Sequence, residues 1–366
     1  MTLAPHPVTG AWQVGDPAGA RRFASVGDVA LERGGVVPDV VLAYETWGEP
    51  TGDNAVLVLH ALTGDSHVAG PAGEGHPTPG WWDALVGPGK AVDTDRFFVV
   101  AANMLGGCQG STGPATRRAD GRAWGSDFPF LTIRDQVRAE IQLADALGID
   151  RWHTIMGGSA GGMRALEWAI MQPDRVQRLF LLATSAYASA EQVAYGAIQN
   201  DVIRADPAWR GGDYYDAKVG PTTGLDLARR LAHLSYRSET ELAVRFGRDV
   251  QDDGRFAVES YLQHHGAKLT GRFDANSYLV IAEAMNSHDV GRGRGGIAEA
   301  LGRITAETVV AGIDSDRLYP LHQQQELAEG VPGAGDLDVV HSDHGHDGFL
   351  IEAGPIGDLA RDLLLR

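Results

Sequence analysis

Between Trp152 and Pro173 the chain reads WHTIMGGSAGGMRALEWAIMQP, and no other stretch restricts the fold as tightly. An apolar, strand-like run from Trp152 to Met156 enters Gly157-Gly158-Ser159-Ala160-Gly161-Gly162. A helix-period segment leaves it, with Met163, Leu166, Ala169 and Ile170 facing inward, and Pro173 stops it. This is G-x-S-x-G set between a strand and a helix. A turn that tight forces the serine into a strained backbone, and side chains two residues away would collide. The Ser159 hydroxyl is then held at the C-terminal edge of a sheet. The N–H of Ala160 and the helix N-terminus put positive charge where an oxyanion would form. A Gly-rich strand-to-helix turn can also cradle phosphate, but no Lys follows Gly162, which excludes a Walker loop. Ser159 therefore reads as a nucleophile.

The other strands share the character of this one. Asn54 to Leu62 (NAVLVLHAL), Phe97 to Asn103 (FFVVAAN) and Val176 to Ala183 (VQRLFLLA) are continuous apolar runs, the mark of strands buried on both faces of a parallel sheet. Ahead of them, Val29 to Glu32 and Val40 to Tyr44 flank Gly34-Gly35 and read as a hairpin on an antiparallel edge; residues 1–22 read as an irregular arm. A helix is expected from Thr132, capped reciprocally by Asp135, to Gly148. From about Ser185 to Arg303 strand runs vanish and helical segments succeed one another, with starts at Ser189 (with Gln192) and Ser238 (with Glu241). Strands resume at Glu307 to Gly312 and Leu337 to His341. The expectation is an α/β fold with a mainly parallel sheet and helices on both faces. Residues 1–184 and 304–366 would form the core, and 185–303 an inserted helical lid.

At 366 residues, one large domain with an insertion fits better than three domains. A net charge of −17 argues against nucleic acid and anionic membrane as partners, while a local Arg cluster can still hold an anion. The single Cys108 rules out an intrachain disulfide framework and fits a reducing cytoplasm. Neither a signal peptide nor a membrane span is expected.

An activated serine needs a base, and the base needs an orienting carboxylate. In the α/β-hydrolase order the acid follows a late strand and the histidine follows the last one. Ile313-Asp314-Ser315-Asp316 offers Asp314 or Asp316; His341-Ser342-Asp343-His344-Gly345-His346 offers three histidines. No matching Cys or carboxylate cluster turns these histidines into a metal site, so no metal is expected. The backbone N–H of Leu62, in the loop after the Asn54 to Leu62 strand, is the second oxyanion donor beside that of Ala160. His60 reads as a structural histidine and Cys108 as a loop-packing residue.

Several longer blocks go beyond a generic hydrolase: His60-Ala61-Leu62-Thr63-Gly64, Gly80-Trp81-Trp82, Asn103 to Pro114 (NMLGGCQGSTGP), Gly157 to Trp168, and Gly345 to Leu350 (GHDGFL). In this order they closely resemble the homoserine O-acetyltransferase family, an α/β-hydrolase-fold family of methionine biosynthesis. The resemblance implies acetyl transfer from acetyl-CoA, a co-substrate rather than a resident cofactor, to L-homoserine through an acyl-serine. It implies Ser159 as nucleophile, Asp316 as orienting acid and His346 as base. It further implies Arg229 for the acceptor carboxylate, Asp347 for its amino group, Tyr236 as an additional contact, and a homodimer. Alternatives on the same scaffold are succinyl-CoA as donor, serine as acceptor, or an esterase or thioesterase. Where Ala160 stands the family usually has Met; the backbone donor is unaffected while the side-chain space changes. Arg292 and Arg294 are candidates for CoA phosphates, with a solvated loop as the competing reading.

Overall fold

The structure, a computed structural model, describes residues 7–366; residues 1–6 of the expected arm lie outside the described residues. Eight strands form one sheet: β1 (Arg22–Ala30), β2 (Val36–Trp47), β3 (Ala55–Leu59), β4 (Phe98–Ala102), β5 (Trp152–Gly158), β6 (Val176–Leu182), β7 (Glu307–Ile313) and β8 (Asp338–Val340). Their order across the sheet is β1-β2-β4-β3-β5-β6-β7-β8. β1 and β2 pair antiparallel, as do β2 and β4, and every pairing from β4 onward is parallel. The hairpin is longer than the alternation of apolar residues suggests. Register shifts on either side of Gly27 break the period-two pattern, so the first half of β1 is hidden from a reading of periodicity.

Why the central strands are apolar throughout is visible in β3. Ala55, Leu57 and Leu59 enter one core with Val137, Leu166, Trp168 and Leu327. The alternate residues Val56 and Val58 enter a second core with Trp82, Phe349, Ile356 and Leu363. The helices on the two faces are α1 (Ile133–Ala146) and α2 (Ala160–Met171), then α9 (Leu321–Gly330), α10 (Gly348–Ile351) and α11 (Ala353–Leu365) late in the chain. Thr132 and Asp135 form the expected capping box at the start of α1.

Between β6 and β7 no strand of the sheet intervenes. That interval holds α3 (Ala190–Ala205), α4 (Thr222–Tyr236), α5 (Glu239–Phe246), α6 (Ala257–Thr270), α7 (Ala275–Asn286) and α8 (Ile297–Leu301). Ser189 with Gln192 caps α3 and Ser238 caps α5, so side-chain oxygens satisfy the first orphan N–H groups of each helix. The early chain does not stay with the sheet. Gly10 N–H donates to Phe273 O (3.1 Å) and Thr9 Oγ1 to Asp274 (2.8 Å), so residues 9–10 bind the helical segment. No described helix is long and apolar enough to cross a membrane.

Candidate active site

Ser159 sits between β5 and α2 with φ 56° and ψ −124°, a left-handed backbone rare for a side-chain-bearing residue. The flanking glycines are there for space. A Cβ on Gly161 would stand 2.0 Å from Leu59 O, and one on Gly157 would stand 2.5 Å from the Gly161 carbonyl carbon. Both obstacles are backbone, so neither can swing aside. Gly161→Ala should therefore destabilise the fold by about 3 kcal/mol or more. A thermal midpoint unchanged from the parent would contradict this account of the turn.

From this turn the Ser159 hydroxyl reaches His346 Nε2 at 2.9 Å, and His346 Nδ1 reaches Asp316 Oδ2 at 2.6 Å. The three side chains come from the β5–α2 turn, the loop after β7 and the segment after β8, and all are at least 95% buried. Asp316 accepts the N–H groups of Leu318 (2.8 Å) and Tyr319 (2.9 Å) on Oδ1, which leaves Oδ2 for the imidazole. With the proton on Nδ1 directed at Asp316, the Nε2 lone pair faces the serine. Tyr319 stacks on the His346 ring (4.8 Å between centroids, 23° between planes), and Phe349 closes another side. The alternatives left open by spacing separate here. Asp314 instead accepts from exposed His341 (2.8 Å), and His344 lies near Glu241 (3.3 Å).

The loop after β3 is fixed from several directions. Arg164, fully buried on α2, pairs with Glu140 of α1 and donates to the His60 carbonyl. His60 is a structural residue in the fold: Nδ1 donates to Ala61 O (2.8 Å) and Nε2 accepts Met104 N–H (3.1 Å). Burial, then the Arg164 charge, hold its pKa well below the usual range, as a neutral two-ended hydrogen-bonding role requires. Arg272 donates to Thr63 O (2.8 Å) and Arg229 to Thr63 Oγ1 (3.2 Å). Leu62 lines the same cavity as Ser159, and among the described residues its N–H donates to no protein group. Ala160 is the first residue of α2, where a helix leaves its N–H without an intrahelical acceptor.

The cavity above Ser159 measures about 110 Å³ and is walled on one side by the helical segment, including Gln192, Tyr195 and Gln199 of α3 and Ala282 and Met285 of α7. Its lining includes one arginine, Arg229, and one carboxylate, Asp347. Arg229 lies over the Tyr236 ring (5.6 Å), and Tyr236 contacts the His346 ring (5.7 Å). Asp347 is paired with Arg237 (3.0 Å). Burial pushes its pKa up, and Arg237, Arg229 and His346 pull it back down.

Arg292 and Arg294 do not face this cavity. Arg292 pairs with Glu32 (2.8 Å), Arg294 pairs with Glu167 (2.6 Å), and Arg134 of α1 bridges both carboxylates. Their charge is spent lashing the chain after α7 onto the core, so neither the phosphate reading nor the solvated-loop reading describes them. Arg164, Arg237 and Tyr319 were not singled out by sequence reasoning. For Arg164 the signal is a charge inside the apolar face of α2, opposite Glu140. Cys108 is buried, and burial followed by the Asp274 charge pushes its thiol pKa far up, so it is no rival nucleophile.

One group of metal-capable side chains occurs among the described residues, Glu45, His67 and His76. Glu45 accepts from His67 Nδ1 (2.9 Å) and Ser66 Oγ (2.8 Å), and His76 Nε2 accepts Ala20 N–H (3.0 Å). The two imidazoles stack 3.8 Å apart with planes 12° from parallel, so their in-plane lone pairs do not converge on one point. This is a hydrogen-bonded knot that fastens Ala20 to the loop after β3.

Residues 54–353 match the family model for the α/β hydrolase fold. The homoserine O-acetyltransferase of Thermobifida fusca (strain YX) is 60% identical, the alignment covering 99% of this chain and 98% of that protein. Among solved structures, the homoserine O-acetyltransferase from Bacillus anthracis superposes with a TM-score of 0.86 at 27% identity, covering 94% of this chain and 97% of that one. Esterase E22 superposes equally well, with a TM-score of 0.86 at 25% identity over 94% of this chain and 99% of that one. With near-complete coverage at such identity, the chain belongs to the homoserine O-acetyltransferase family within the α/β-hydrolase fold.

Proposed function

We propose that the chain transfers the acetyl group of acetyl-CoA to the hydroxyl of L-homoserine, through an acetyl ester on Ser159. The observation that carries this reading is a relayed serine inside a cavity whose lining includes a single arginine and a single carboxylate, Arg229 and Asp347. Those two charges complement the carboxylate and ammonium of an amino acid, and a planar guanidinium suits a carboxylate bidentately. The names carried by the relatives support the same substrates.

In the first step His346 Nε2 takes the Ser159 proton as Oγ attacks the thioester carbonyl. The Leu62 and Ala160 N–H groups hold the resulting oxyanion. The C–S bond breaks, and His346 returns the proton to sulfur, so CoA leaves as a thiol. In the second step homoserine, anchored by Arg229 and Asp347 with Tyr236 alongside, gives its hydroxyl proton to His346 and attacks the acetyl-serine. Collapse returns the proton to Ser159 and releases O-acetyl-L-homoserine. No resident cofactor is needed. Water competes in the second step, and a narrow cavity that buries Ser159 limits its access.

The same reading makes the chain a cytoplasmic enzyme of methionine biosynthesis, with residues 185–303 as a lid on a core of 1–184 and 304–366. It acts as a homodimer through that lid, whose Ile198, Leu227, Leu234 and Val244 expose apolar surface. Simple hydrolysis is the second reading, favoured by the likeness to esterase E22. Initial rates with acetyl-, propionyl- and succinyl-CoA against homoserine, serine and no acceptor discriminate between them. Acetyl-CoA with homoserine should dominate and give parallel double-reciprocal lines. Rapid acetyl-CoA loss without an acceptor would favour hydrolysis, and intersecting lines would remove the free acyl-enzyme.

A further inference from the structure

Beside the catalytic cavity lies a second cleft of about 250 Å³, bounded by α4, α6 and α10, that shares Arg229, Asp347 and Leu350 with it. Its charge is lopsided. Arg229, Arg237, Lys268 and Arg272 line it against one carboxylate, Asp347; Arg237 engages that carboxylate at 3.0 Å and Glu241, behind the lining, at 2.9 Å. In a chain of net charge −17 such a concentration of cations is a local inversion of the overall field.

A second observation is independent of the charges. His233, on α4, is 96% buried, yet neither ring nitrogen has a hydrogen-bond partner. Its ring contacts are aromatic: His265 at 4.1 Å, Tyr236 at 5.8 Å and Tyr261 at 6.0 Å. Buried polar atoms are nearly always satisfied, so an orphaned imidazole lining a cleft points to a group that occupies the cleft during function. The Lys268 side chain, at the exposed rim, likewise makes no hydrogen bond or ion pair among the described residues. Burial and then the Arg229 charge lower both imidazoles, His265 to about 4, so the pair stands neutral beside Arg229, Lys268 and Arg272, while Arg237 is held by Asp347 and Glu241. Leu269, Leu350 and Ile351 supply an apolar wall running from the catalytic cavity to this rim.

We propose that this cleft is a phosphate subsite, in which His233, His265 and Lys268 receive a phosphate group of the thioester donor within the field of Arg229, Arg237 and Arg272. The proposal rests on the acyl-transfer reading, because only a donor such as CoA brings phosphate to this reaction. A hydrogen-bonded, cationic pocket at the end of an apolar wall suits a phosphate carried on a flexible arm. The other cleft adjoining the catalytic cavity contains Arg33 and Arg292. It is the weaker candidate, since Arg292 is held by Glu32 and Arg33 lies over the Phe130 ring at 3.8 Å.

The test compares two donors, acetyl-CoA and S-acetyl-N-acetylcysteamine, which ends before any phosphate. Lys268→Gln, an exposed substitution, should raise KM for acetyl-CoA about tenfold and leave kcat and the short donor's KM unchanged. His265→Gln should act in the same direction. Inorganic phosphate should compete with acetyl-CoA on the parent and more weakly on Lys268→Gln. An equal KM shift for both donors, or no shift, overturns the proposal, as does a donor-specific shift in Arg33→Gln alone. Phosphate inhibition lost in Lys268→Gln with the donor KM unmoved assigns the cleft to free phosphate and overturns the donor's claim. Each of these outcomes requires an active transferase, whereas failure of the parent to acetylate homoserine would sink the function itself.

Discussion

Ser159→Ala should lower kcat/KM for acetyl transfer by on the order of 10³-fold or more and abolish the acetylated protein in intact-mass spectra. The reason is geometric. In the proposed mechanism the hydroxyl accepts the acetyl carbon, and it stands 2.9 Å from His346 Nε2, which would take its proton. The proposed oxyanion donors, the Leu62 and Ala160 N–H groups, are backbone and survive the substitution, so the residue of activity reports what electrostatics and binding supply without covalent chemistry. Alanine also has to adopt φ 56°, as serine does, so folding changes little. Turnover close to that of the parent would remove the acyl-serine mechanism.

Asp316→Asn should cost about 10⁴-fold in kcat, by analogy with the same change in a serine-protease triad. Asparagine can keep its oxygen on the Leu318 and Tyr319 N–H groups, which turns its NH₂ toward His346 Nδ1. A donor there makes Nδ1 an acceptor and moves the imidazole proton to Nε2. The base then presents a proton, instead of a lone pair, to Ser159. Asp314→Asn is the control, since Asp314 serves exposed His341 and the Ser342 N–H; it should leave kcat within about twofold. Comparable losses in the two variants would mean that the relay had been assigned to the wrong carboxylate.

The strands and the nucleophile turn were legible because their causes are local. Runs such as Ala55 to Leu59 are apolar throughout since both faces are covered, and Gly157 and Gly161 stand where neighbouring backbone leaves no space for a Cβ. The choice between Asp314 and Asp316 was not local. Both follow β7, and only the turn that aims Leu318 and Tyr319 N–H at Asp316 separates them; the family resemblance had pointed to the same residue. Arg292 and Arg294 were misread for a related reason. Their partners Glu32 and Glu167 lie on elements far away in sequence, so a GRGRGG run looked free when it was paired. The basic cleft is invisible too, because the charges of α4, α6 and the residues just after each look like ordinary solvated residues until the chain folds.

Cys108, 3% exposed and with its thiol held protonated by burial, bears on how this protein is handled in the laboratory. It is the only thiol in the chain, and colorimetric disulfide reagents react with thiolates at the surface. In the folded protein such a reagent therefore registers the sulfhydryl liberated from the donor with no background from the protein itself. When that background does rise, it signals that the loop holding Cys108 has come apart.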